Sequence, residues 1–227
     1  MVEEDRATRS SSGVRVPKQQ RSRETQASIL EAALVVFADR GYNGASMRRI
    51  AERAGVGQPV VVYHFRTKEA LWVATVEWAL GGFLVHIEPL IEALEGLDPA
   101  TTLSLIFQQF TRYSAGTPEL FQVLLDANRH GGPGLAKVTE DQLRPIFERL
   151  RKLIVSGQKA GTVAAGDPAL IYYALVAIGS TLFSLNQEFK LLTGRDPREP
   201  EVVEAQAGLL AQIFFRSVGG AETPTPR

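Results

Sequence analysis

The stretch that decides the fold is Ser46–Lys68, SMRRIAERAGVGQPVVVYHFRTK. It contains two short segments with helical periodicity, one on each side of the Gly-containing turn Ala54–Gly57. Apolar residues of the first segment fall on one helical face, and these are Met47, Ile50, Ala51 and Ala54. Ser46 precedes this segment, where its hydroxyl can accept a hydrogen bond from a free first-turn amide.

The second segment begins near Pro59, which suits the first turn of a helix because its missing N–H has no partner there. Val61 and Phe65 point to one side, and the opposite side carries Gln58, Val60, Tyr63 and His64. Ala51 is small enough for two helices to approach closely. Two short helices joined by a tight turn are typical of a helix-turn-helix.

The composition favours a soluble globular protein. The chain has 227 residues, of which 44% are hydrophobic and 22% charged, and this length allows one large domain or two modest ones. The absence of cysteine excludes disulfides and thiolate chemistry. The N-terminus lacks a signal-peptide pattern, and no uninterrupted apolar stretch reaches the roughly 20 residues of a membrane span. We therefore expect a cytoplasmic protein without a membrane partner.

The net charge of zero conceals an uneven distribution. Residues 1–68 hold 12 Lys and Arg against 7 Asp and Glu, whereas residues 69–227 hold 13 against 18. A basic head on an acidic body suits a protein of which only one end approaches phosphates.

Helical periodicity continues through the rest of the chain, so the predicted fold class is all-α. A helix over 22–40, stopped by Gly41, completes a three-helix head. A long helix is predicted from the N-cap Asp167 to about Leu192, and its middle, YYALVAIGSTLFSL, is apolar nearly all round and must be covered on every side. The other predicted body helices are 69–94 with a kink or break at Pro89, 99–114, 118–128, 139–159 and 200–218.

These patterns divide the chain into four parts. Residues 1–20 and 220–227 are polar and are predicted to be disordered tails. Residues 21–68 form the helix-turn-helix domain. Residues 69–219 form a helical domain, to which the resemblance described next assigns effector binding and dimerisation.

The head resembles the DNA-binding domain of the TetR family of transcriptional regulators. The resemblance is carried by FADRGYNGAS, RRIAERAGV and YHFRTKEAL, and it covers about residues 22–72. It implies an N-terminal DNA-binding domain, a small-molecule pocket in the body and dimerisation through the last two helices. Val60 and Val62 stand where the family commonly has a Thr and an aromatic residue, so the operator sequence is expected to differ.

The second helix of the motif is expected to lie in the major groove. Gln58 can pair with an adenine edge, and the residues that can contact thymine methyls are Pro59, Val60 and Val62. Arg48 can reach a guanine or a phosphate. The residues assigned to phosphates are Ser46, Tyr63, His64 and Lys68.

The body is predicted to hold a mostly apolar pocket for a small lipophilic effector. Its expected lining residues are Phe110, Tyr113, Phe121, Leu125, Asn128, Phe147 and Tyr173. Helices that are too apolar for a small domain to bury alone indicate a twofold partner, although a helix inside a monomeric bundle would show the same pattern. The predicted dimer residues are Ala174, Ala177, Ile178, Phe183, Leu209, Leu210 and Ile213.

Catalysis has little support, because the three histidines lack metal-ligand spacing and the chain has neither a phosphate-binding loop nor a nucleophile elbow. No enzyme activity, metal site or cofactor is predicted. The predicted function is a homodimeric repressor that binds a palindromic operator and is released by the effector. Two alternatives remain at this stage: a DNA-binding regulator without an effector, and a helical ligand-binding or interaction module with a vestigial helix-turn-helix.

Overall fold

The computed structural model describes residues 18–94, 96–130, 132 and 134–215, and within them it confirms the all-α fold. The helices are α1 (Lys18–Gly44), α2 (Met47–Ala54), α3 (Gln58–Phe65), α4 (Lys68–Ala93), α5 (Pro99–Gly116), α6 (Pro118–His130), α7 (Leu135–Val138), α8 (Arg144–Lys159), α9 (Pro168–Ser184), α10 (Asn186–Thr193) and α11 (Pro200–Phe214). The two predicted disordered tails lie outside the described residues, except that α1 already begins at Lys18.

The head is built from α1, α2 and α3. Ser46 caps α2 as predicted, since its side chain accepts a hydrogen bond from the Arg49 N–H. The turn after α2 contains Gly55 at φ 68°, in the left-handed region that favours glycine. Ile50 and Ala51 of α2 and Val61 and Phe65 of α3 are buried, in one core with apolar residues of α1 and α4.

The first helix is interrupted at Gly41, where the sequence predicts its end. Gly41 has φ 65° and ψ 172°, which is not helical, and a short helical turn follows it. A Cβ at this position would lie 2.9 Å from Asp126 Oδ1 of α6. Gly41 therefore supplies both the left-handed backbone and the space that the carboxylate needs.

Helix α4 continues through Pro89, so the predicted break does not occur. Pro89 removes the donor for the carbonyl of Val85, but Val85 is exposed and water can take the place of that bond. One 18-residue window of α4 has a mean hydropathy of 1.5, and half of it is buried in the protein. Leu71, Trp72 and Val76 are fully or almost fully buried, which identifies α4 as a core helix.

Two predicted helices are divided in the structure. Residues 139–143 form a π-helical turn between α7 and α8, where continuous helix over 139–159 is predicted. The predicted helix up to Leu192 ends at Ser184, and α10 leaves it at an angle of 71°. Phe183 is fully buried, whereas α10 buries no residue, so the chain leaves the core at this bend.

The body has its own core around α5, α8, α9 and α11. Leu103, Ile154, Leu175 and Leu210 are inaccessible to solvent there. Arg112 of α5 binds Glu204 of α11 side-on, with both nitrogen–oxygen distances at 2.7 Å. The ion pair joins α11 to α5, and the buried leucines pack α9 and α11 against the centre of the body.

Candidate functional site

The exposed face of α3 matches the predicted DNA-reading face. Gln58 and Pro59 at its start are exposed, and so are Val60 and Val62. Tyr63 is 80% exposed although it is a large aromatic residue. Because Val61 and Phe65 on the opposite side are anchored in the core, this face points outward from a fixed scaffold. The assignment of Gln58, Pro59, Val60 and Val62 to bases, and of Tyr63 to a phosphate, stays a prediction.

The first helix of the motif adds polar groups beside this face. Arg48 Nε lies 3.3 Å from Glu52 Oε1, and both side chains are largely exposed, so the ion pair is weak and the guanidinium can exchange it for a phosphate or base. Ser46 uses its oxygen as the cap acceptor and keeps its hydroxyl proton for donation. His64 is half-buried and packs edge-on against Tyr63.

The structure shows contacts of Lys68 within the protein, and its predicted phosphate contact stays a prediction. Its ammonium donates to the carbonyl oxygens of Tyr42 at 2.9 Å and Ala45 at 3.2 Å. It also lies 4.4 Å from the centre of the Tyr42 ring, a cation–π contact. Lys68 thus joins the start of α4 to the segment before α2, and the third ammonium donor is left for the predicted phosphate. Its neighbours come from 23 and 26 positions earlier in the chain, which local patterns do not reveal.

A cavity of about 610 Å³ lies in the body, within the size range of small-molecule sites. All seven residues predicted from sequence line it: Phe110, Tyr113, Phe121, Leu125, Asn128, Phe147 and Tyr173. Their role in ligand binding remains a prediction. Aromatic rings form much of the wall, and Phe83 and Phe110 meet edge to face with centroids 5.6 Å apart.

The sequence reasoning missed the contributions of α4, α7 and the π-helical turn to this cavity, and also further residues of the helices that it did name. Additional apolar lining comes from Leu80, Phe83, Ile106, Phe107, Leu120, Leu124, Leu135, Leu143, Ile146, Leu150 and Val176. Arg144 is the first residue of α8. It is exposed and also lines the cavity, on the same side of α8 as Phe147 three residues later.

Two tyrosines in the cavity wall are kept in their neutral form by burial. Desolvation raises the pKa of Tyr172 to about 12. Desolvation also raises the pKa of Tyr113, whose hydroxyl donates to the carbonyl of Ala79 in α4. The cavity therefore offers phenol groups, aromatic faces and aliphatic surface, which suits a ligand with a large apolar body.

The predicted dimer residues separate into two groups. Ala177, Leu209 and Ile213 are exposed, and Ala174 and Ile178 are half-buried, so these five remain available to a partner. Phe183 and Leu210 are fully buried inside the protomer, and their assignment to the dimer surface is wrong. Periodicity marks both as apolar but cannot tell an internal face from an external one.

Helix α9 also shows why small residues do not by themselves mark a dimer face. Gly179 and Ser180 are two small residues of this helix. Both are buried, and a Cβ on Gly179 would lie 2.8 Å from Phe110 Cδ1 of α5 in the same chain. The close approach thus occurs between α9 and α5 within the protomer.

Helix α6 connects the cavity with the head. Phe121, Leu125 and Asn128 on this helix line the cavity. Asp126, on another face of the same helix, reaches the break in α1 at Gly41 and Tyr42. A change in the position of α6 would therefore change both the cavity wall and the contact with α1.

Comparisons with known proteins agree with this architecture. Residues 29–75 match the family model for bacterial regulatory proteins of the tetR family, and residues 99–213 match the model for the tetracyclin repressor-like C-terminal domain. The transcriptional regulator RutR of Escherichia coli (strain K12) is 26% identical over 172 residues, which cover 76% of this chain and 80% of RutR.

Two further similarities extend over most of the chain. The transcriptional repressor NicS of Pseudomonas putida is 28% identical over 178 residues, covering 77% of this chain and 80% of NicS. The crystal structure of AibR in complex with isovaleryl coenzyme A and operator DNA has a TM-score of 0.69 at 17% identity, covering 84% of this chain and 98% of AibR. Because the C-terminal family model alone spans half of the sequence, the chain belongs to the tetR family of bacterial regulatory proteins.

Proposed function

We propose that this protein is a cytoplasmic, homodimeric transcriptional repressor that binds a palindromic operator and is released by a small lipophilic effector. The observation that carries the proposal is the double role of α6, which lines the apolar cavity and contacts the DNA-binding head through Asp126. Effector in the cavity then has a direct mechanical path to α1 of the head.

The DNA-binding part of the proposal rests on the exposed face of α3. In a twofold dimer, two such helices about 34–36 Å apart would enter successive major grooves. Gln58 at the start of α3 is the residue for base recognition, while the side chains of Val60 and Val62 offer methyl groups to thymine. Tyr63 is placed for a phosphate, which fixes the protein on the DNA without selecting a sequence.

Release requires that the effector bind one conformer more tightly than the other. A ligand with equal affinity for both conformers would leave the DNA affinity unchanged. AibR, which shares the fold, was crystallised with an acyl coenzyme A and operator DNA, and NicS is a repressor by name. Both support an effector-controlled repressor, as does the apolar lining of the cavity.

The proposal is tested with the DNA upstream of the protein's own gene. Fluorescence anisotropy with a salt series should show a specific complex that weakens steeply as salt increases. Gln58→Ala should reduce the preference for this DNA over random DNA, and Gln187→Ala on α10, an exposed glutamine away from the head, serves as the control. Failure to form any specific complex at low salt would contradict the proposal.

Repression and release are separate parts of the same test. Deletion of the gene should raise expression from the bound promoter, whereas a fall would identify an activator. Lipophilic compounds added to the complex should release the DNA. A specific complex that none of them releases would favour the alternative of a regulator without an effector.

A further inference from the structure

A positively charged side chain lies at the mouth of the cavity. Among the described residues that line the cavity, Arg144 alone carries a formal charge, at the first position of α8. Its side chain is 56% exposed, so it lies where the cavity meets solvent. The neighbouring lining residues Thr139, Leu143 and Phe147 place it beside an otherwise uncharged wall.

The guanidinium of Arg144 is already occupied by a carboxylate. Its Nε donates to Glu140 Oε2 and its Nη2 donates to Glu140 Oε1, both at 2.6 Å. This side-on geometry is the strongest way in which arginine recognises a carboxylate. The guanidinium is therefore already oriented for a carboxylate before any ligand binds.

The carboxylate of Glu140 is easy to replace. It belongs to the π-helical turn, is 57% exposed and lies four residues before Arg144. Exposed ion pairs of this kind contribute little to stability, because water and salt screen them. A ligand that fills the cavity with its apolar part gains hydrophobic free energy in addition, so it can displace Glu140 from the guanidinium.

From this arrangement we infer that the effector is an amphipathic carboxylate, whose apolar body fills the cavity and whose carboxylate replaces Glu140 on Arg144. The inference rests on the proposed effector site and adds the charge of the ligand and the residue that recognises it. Glu140 acts as a competitor for this residue. The other polar lining groups do not offer a charge, and Asn128 is partly engaged because its Nδ2 donates to Leu124 O of its own helix.

The test uses n-alkyl carboxylates of six to sixteen carbons and the alcohols of the same length. Isothermal titration calorimetry with the full-length protein and no DNA should show that at least one carboxylate binds about tenfold or more tightly than its alcohol. If no carboxylate binds more tightly than its matching alcohol, the inference is wrong.

Three variants test whether Arg144 causes the preference for carboxylate over alcohol. Arg144→Met should remove the preference for carboxylate over alcohol, and Arg149→Met, an exposed arginine on α8 that does not line this cavity, should keep it. Glu140→Gln should tighten carboxylate binding several-fold, since the competitor is gone. A purely structural ion pair predicts instead that Arg144→Met and Glu140→Gln weaken binding alike, and this result would overturn the inference.

Failure of this inference and failure of the proposed function give different results. Carboxylate binding that depends on Arg144 but leaves the operator complex intact would contradict effector release and support the ligand class. An operator complex released only by neutral compounds would contradict the ligand class and support the repressor. Thermal unfolding of each variant checks that the fold is preserved.

Discussion

Asp126 accepts a hydrogen bond on Oδ2 from the backbone N–H of Tyr42 at 2.9 Å, across 84 positions of the chain. The second oxygen of the same carboxylate lies 2.9 Å from His130 Nδ1. This carboxylate satisfies the amide that is freed by the break at Gly41, and it comes from the helix that lines the cavity. The pair is therefore a physical connection between the proposed effector cavity and the DNA-binding head.

Removal of this connection should lower the stability of the protein and weaken the release of operator DNA by the effector. Asp126→Ala leaves a partly buried amide without its acceptor and is expected to lower the free energy of unfolding by about 1–2 kcal/mol. Urea denaturation measures this loss, and Asp39→Ala, at an exposed position of α1, is the control. Release of the operator by effector should also become weaker in Asp126→Ala. Full release with unchanged stability would show that the contact carries no coupling.

Lys68→Met should act mainly on folding. The substitution keeps the apolar stem but removes the ammonium that binds the carbonyls of Tyr42 and Ala45, so we expect a loss of about 1–3 kcal/mol in unfolding free energy. Chemical denaturation provides the value, with exposed Lys190→Met as the comparison. If the variant has normal stability but binds all DNA less tightly, Lys68 acts mainly through the phosphate contact that the sequence predicts.

Gly179→Ala should destabilise the body. The added Cβ would lie 2.8 and 2.9 Å from two carbons of the Phe110 ring and 3.2 Å from Thr111 Oγ1, so α5 and α9 would have to separate. The expected cost is about 1–3 kcal/mol. Gly81→Ala in α4 meets no atom within 4 Å and should instead stabilise the protein by about 0.5–1 kcal/mol. Equal effects of the two substitutions in thermal unfolding would refute this packing argument.

Tyr172 should make the protein less stable at alkaline pH. The pKa of its phenol is about 12 in the folded protein and about 10 in the unfolded chain, so between these values the unfolded state has lost a proton that the folded state keeps. Stability on this account is complete below pH 10 and falls as the pH rises towards 12, by about 1.4 kcal/mol per pH unit at most.

Urea titrations between pH 9 and pH 11.5 would reveal this slope. Tyr172→Phe should lower the slope relative to the unmodified protein, because the phenyl ring cannot ionise. The contributions of the other titrating groups cancel in this comparison. Identical slopes for the two proteins would mean that Tyr172 ionises equally well in the folded state.

The proposed dimer makes a prediction about α11. Ile213 is half exposed on this helix, whereas Leu191 on α10 is 86% exposed. Ile213→Glu should convert the dimer into a monomer in analytical ultracentrifugation, because it places a charge in the apolar interface. Leu191→Glu should leave the dimer intact. The opposite pattern would move the interface to α10.

The sequence by itself determined the features that depend on local chemistry. Ser46 is recognisable as a cap by its place before a periodic segment, and Val61 and Phe65 as anchors by their spacing. Gly41 stops α1 because few other residues adopt its backbone conformation. Five of the aromatic residues that line the cavity were also predicted, whereas Phe83, Phe107 and Tyr172 were not.

Only the tertiary structure decided which of several equally apolar or charged groups meet. Phe183 and Leu210 face the interior of the protomer, and Lys68 binds carbonyls that are distant in the chain. Arg144 lines the cavity together with residues of α4, α5, α6 and α9, which come from distant parts of the chain. Periodicity predicts whether a residue lies on the apolar or the polar face of its helix. What that face contacts depends on the packing of helices from elsewhere in the chain.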